Sequence, residues 1–78
     1  MNDPVEAIVH SGLVQAEIRV EVGVKTKALD FYLPDYNVYI ECKRMFTERI
    51  NDQISRHENV IVIQGMGAAL TFVELITA

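Results

Sequence analysis

The chain has 78 residues, half of them hydrophobic, and carries 11 acidic against 7 basic side chains for a formal charge of −4 at pH 7. A chain this short forms a single domain over residues 1–78 and buries only about 60% of the surface it exposes when unfolded, so the apolar surplus predicts a homodimer. The acidic balance argues against tight, non-specific binding to long duplexes, and no apolar run nears the ~18 residues of a membrane span.

The N-terminal MNDPVEAIVH has neither the basic region nor the long apolar core of a signal peptide, and the single cysteine, Cys42, fits a reducing compartment. These features predict a cytoplasmic protein without a membrane partner. Asp3-Pro4 is an N-cap followed by proline at the first helical position, and Val5, Ile8, Val9 and Leu13 or Val14 follow at helical spacing, so residues 3–14 are predicted to be a helix. Ser11-Gly12 weakens its end.

Residues 16–24 alternate, with Ile18, Val20, Val22 and Val24 opposing Glu17, Arg19 and Glu21, which predicts a half-exposed strand. Residues 27–33 alternate again, Leu29, Phe31 and Leu33 against Ala28, Asp30 and Tyr32, and Pro34-Asp35-Tyr36-Asn37 has turn chemistry. A third strand over 38–43 places Val38, Ile40 and Cys42 on one face. Thr47 caps a helix running to His57 with Phe46, Ile50 and Ile54 as its buried stripe. Asn59 ends it, and VIVI at 60–63 reads as a strand covered on both faces and parallel to the third. Gly65 and Gly67 make the next turn, after which Met66, Ala69, Leu70, Val73 and Ile76 mark a closing helix with some strand propensity.

Alternation sets Tyr39, Glu41 and Lys43 opposite Ile40 and Cys42, and Asp30 opposite Leu29 and Phe31. If those apolar faces meet one core layer, Asp30, Glu41 and Lys43 converge on the other side. Two carboxylates on adjacent strands can share a hard cation such as Mg²⁺, beside which a lysine can aid attack on a phosphodiester. The competing reading is a solvated face with an ordinary Glu–Lys pair, worth ~0–1 kcal/mol. Zinc is the poorer choice, because Cys42, His10 and His57 lack metal-ligand spacing.

The segment LDFYLPDYNVYIECKR, residues 29–44, resembles the signature of the PD-(D/E)xK nuclease superfamily, with Asp30 on the second core strand and Glu41-Cys42-Lys43 on the third. Gln53, ten residues after Lys43, is similar to the arrangement in VRR-type nucleases, and archaeal-type Holliday-junction resolvases are a nearby comparison. The sequence departs from that pattern in having Ala28-Leu29, not proline, before Asp30, and it lacks the GxPD phrase of VRR members. The resemblance implies an α/β, restriction-endonuclease-like core of order α-β-β-β-α-β-α, a mixed sheet with helices on both faces.

The same resemblance implies a Mg²⁺- or Mn²⁺-dependent endonuclease hydrolysing DNA, extending to structure-specific cutting of branched or junction DNA. Asp30, Glu41 and the main-chain carbonyl of Cys42 are then the metal ligands, Glu6 on the first helix completes them, and Lys43 and Gln53 serve the nucleophile or phosphate. Lys27, Arg44, Arg49 and Arg56 are candidate phosphate contacts. Tyr32, Tyr36 and Tyr39 are open to either base stacking or dimer packing. The alternative is a non-catalytic DNA-binding or oligomeric interaction module on the same fold.

Overall fold

The Asp3 carboxylate starts the first helix by accepting hydrogen bonds from the Val5 and Glu6 N–H groups at 2.8 and 3.3 Å, with Pro4 next to it in the first turn. A computed structural model describes residues 3–24, 29–43 and 59–78. They form α1 (Pro4–Gln15), β1 (Glu21–Val24), β2 (Leu29–Leu33), β3 (Val38–Lys43), β4 (Val60–Gln64) and α2 (Gly65–Thr77). The strands lie in the order β1-β2-β3-β4, with the first two pairings antiparallel and β3–β4 parallel. The molecule is thus α/β with a four-stranded mixed sheet.

One sheet face carries the core. Phe31, Leu33, Ile40, Cys42 and Ile63 pack there against Val5, Val9 and Leu13 of α1 and Ala69 of α2. Both described helices therefore cover the same face. The predicted helix from Thr47 to His57, on which a second covered face depends, lies outside the described residues, as do Lys27, Arg44, Arg49, Gln53 and Arg56. Among the described residues no helix is long and apolar enough to cross a membrane.

The strand expected over 16–24 begins only at Glu21. The cause is the way α1 ends: Glu17 N–H bonds to Val14 O and Ile18 N–H to Leu13 O, at 3.0 and 2.9 Å, with Glu17 in the left-handed region at φ 59°. This is a Schellman closure whose left-handed position holds a glutamate instead of glycine. Ile18 and Val20 still lean on the core, which explains their strand-like alternation without strand pairing. Glu17→Gly is expected to raise stability by about 0.5–1 kcal/mol in urea denaturation, since relief of the left-handed Cβ clash exceeds the glycine entropy cost.

Three further expectations change. Gly12 does not end α1, which runs on to Gln15: it is buried, and a Cβ there would stand 2.5 Å from Cγ2 of Val73, so it is the point where α1 and α2 meet. Among the described residues β4 is the outermost strand, and on its core face Ile63 is buried while Ile61 is 41% exposed, so that face is covered only in part. Finally, Gly65 alone turns the chain, at φ 85°, and Gly67 is already helical. Because α2 docks on α1 through Ala69 and Val73, its inner side is Ala69, Phe72 and Ile76, while Met66 and Leu70 face outward.

Candidate active site

The β2–β3 hairpin builds the site. Its ladder pairs Leu33 with Val38, Tyr32 with Tyr39 and Phe31 with Ile40. Beyond that, the Cys42 N–H donates to Oδ2 of Asp30 at 2.7 Å, so a side chain takes the place of the next main-chain rung. The Asp30 carboxylate is thereby held at the mouth of the two strands. Glu41 follows Ile40 on β3 and is 2% exposed. Its Oε1 lies 3.3 Å from the half-buried Lys43 ammonium, whereas Oε2 is buried with no hydrogen-bond donor.

Glu6, one turn into α1, joins the two strand carboxylates. Its carboxyl shares a hydrogen bond with Asp30, and this, added to burial, lifts it from the ordinary 4.5 to about 7. Burial first, and then the Asp30 carboxyl, lift Glu41 likewise to about 7. Burial is also the largest influence on Asp30 and opposes its charge. Hydrogen bonds from Glu6, Glu41 and the Cys42 N–H, with the Lys43 charge, outweigh it and hold Asp30 below its usual range. The cluster titrates as a unit: one ionised carboxylate flanked by two acids that hold protons near neutrality.

Such a group suits a hard cation. Its side-chain donors are all oxygens, the chemistry of Mg²⁺ and Mn²⁺, and the donorless Oε2 of Glu41 is a buried polar atom that an ion would satisfy. Among the described residues no three His, Cys, Asp or Glu side chains stand as a ready-made metal cage. The fit therefore rests on the orphaned oxygen and the donor chemistry. Cys42 contributes through its backbone; its thiol is buried and its ionisation is pushed far up, first by burial and then by the Asp30 charge. It is a core group, not a nucleophile.

A raised acid stabilises the fold below its unfolded value of 4.5, and this contribution is lost as pH rises through the folded value of about 7. Asp30, being depressed, acts oppositely and only below its ordinary 3.8. In EDTA the melting temperature is therefore expected to fall between pH 5 and pH 8. Added Mn²⁺ should restore it at pH 8 and do little at pH 5, where protons occupy the ligands. Thermal melts at the two pH values check both statements.

Asp30, Glu41 and Lys43 thus come together as alternation predicted, and Glu6 reaches them from α1. What alternation missed is a cavity of about 350 Å³ beside the carboxylates, lined by Glu6, Val22, Gly23, Leu29, Asp30 and Phe31. A signal was present: a glycine within a strand pattern marks close approach of a ligand or backbone. A second, apolar groove of about 380 Å³, lined by Leu13, Leu33, Val38, Phe72 and Ile76 among others, lies toward the hairpin turn, away from the acids. No protein-family model, curated protein or solved structure matches the chain.

Proposed function

We propose that the protein is a Mg²⁺- or Mn²⁺-dependent DNA endonuclease with a restriction-endonuclease-like core. The observation that carries this reading is the fully buried Glu41, one oxygen on Lys43 and the other without a donor, adjoining the ionised Asp30. A cation between Glu41 and Asp30 would give that buried oxygen the partner it lacks. Asp30 and Glu41, with Glu6 and the Cys42 carbonyl, are the residues that would hold the ion, which when bound supplies Lewis acidity toward a phosphoryl oxygen.

The chain's own residues do the rest. Lys43, half-buried and anchored on Glu41, directs its ammonium at the water that attacks phosphorus or at the charge that grows on the phosphate. In hydrolysis one P–O ester bond breaks as the water oxygen bonds to phosphorus, and the leaving oxygen takes up a proton. Gln53, Lys27, Arg44, Arg49 and Arg56 belong to this reading as candidate substrate contacts. The exposed Met66, Leu70 and Leu75 of α2 support a homodimer, which would present two sites to branched DNA.

Purified protein is expected to cut at least one of junction, flap, single-stranded and duplex DNA in Mn²⁺ and none in EDTA. A panel left uncut in Mn²⁺ by protein that melts cooperatively would overturn the proposal.

A further inference from the structure

We propose that the cavity beside the carboxylates receives a single unpaired nucleobase, so that the substrate is DNA with an unstacked nucleotide next to the cleaved phosphate. This rests on the nuclease reading and narrows it. The cavity lining has two unlike parts, the acids Glu6 and Asp30 and the apolar Val22, Leu29 and Phe31 with Gly23. A hydrated cation and a phosphate use only the carboxylate part. At about 350 Å³ the space is at the small end of ligand pockets, which run roughly 300–1,000 Å³, and suits one nucleotide rather than a stacked pair.

The backbone keeps that space open. Val22 pairs with Phe31 and Val24 with Leu29, which sets Gly23 opposite Asp30. Gly23 has φ 67°, and the position a side chain would take is empty to 4 Å. Other residues are strained at that φ, so a glycine holds the position and adds no side chain to the open space beside Asp30. A base inside a duplex cannot enter such a slot, whereas one at a flap, gap or single-stranded stretch enters without the cost of unpairing. The chain's net charge of −4 agrees with this, since capture of a base face needs fewer phosphate contacts than gripping a duplex.

The test measures binding in Ca²⁺ by fluorescence anisotropy, using a labelled single strand, the matching blunt duplex and a fully abasic strand of equal length. Wild type is expected to bind the single strand about tenfold more tightly than either of the others. Val22→Phe fills the slot from an exposed strand position that tolerates an aromatic residue. It is expected to remove that preference and leave the Mn²⁺ affinity, read by calorimetry, unchanged. Equal affinity of wild type for all three probes would overturn the base pocket, as would a single-strand preference that survives in Val22→Phe. Failure of the nuclease reading registers separately, as absence of Mn²⁺ binding and of Mn²⁺-dependent cutting.

Discussion

Glu41→Gln is expected to abolish Mn²⁺-dependent cleavage, by about 10³-fold or more, and to raise the stability of the same protein without metal. The two effects share one cause. A carboxylate that is 2% exposed, with a donorless Oε2 and the Asp30 carboxylate beside it, is held against its own solvation. Glutamine keeps the shape, removes the charge and offers an amide N–H to Asp30. At pH 8 in EDTA the gain should be about 1 kcal/mol, or roughly 4–8 °C in melting temperature for a domain of this size. In Mn²⁺ the order should reverse, because only wild type gains from the ion. A variant that melts lower than wild type in EDTA would show that Glu41 is a structural partner of Lys43 and not a strained ligand.

Gly12→Leu should have the largest effect on folding of any single change between the helices. Even a Cβ at this position meets Val73 at 2.5 Å, and Val73, being β-branched, has little rotamer freedom with which to yield. Overpacking of this kind costs about 1–3 kcal/mol and occasionally more. The better helix propensity of leucine returns just under 1 kcal/mol. A net loss of about 1–2 kcal/mol is expected in urea denaturation. Val73→Ala in the same chain should recover part of it, and the coupling energy from the double-mutant cycle identifies the contact.

The parts of this fold legible in the sequence are those governed by local rules. Asp3-Pro4 fixed the start of α1, strict alternation placed Asp30, Glu41 and Lys43, and the Pro34-Asp35-Tyr36-Asn37 turn joined two strands as expected. Where tertiary contact overrides local preference, the reading slipped. Gly12 looked like a helix breaker because nothing nearby in sequence announces Val73. The left-handed Glu17 hid the end of α1, since that position ordinarily displays a glycine. Met66 and Leu70 have helical spacing with Ala69, yet the docking of α1 chose another side of α2. Glu6 was placed by resemblance, and its approach to Asp30 is a product of how α1 crosses the sheet, which no spacing encodes. The cavity was hinted at only by Gly23 within a strand pattern, as Val22 and Phe31 meet only across strands.

The Gly12–Val73 contact also sets an order of events during synthesis. It joins the first described helix to the last, so the loop to be closed spans most of the chain, and such closure is slow to nucleate. Until residues 65–77 have left the ribosome, the inner face of α1 around Gly12 has no helix to rest on, and the helix that carries Glu6 lacks its main lateral support. A nascent chain ending after β4 therefore holds its acids on an unbuttressed α1, and completion of the cluster waits for the last helix to emerge.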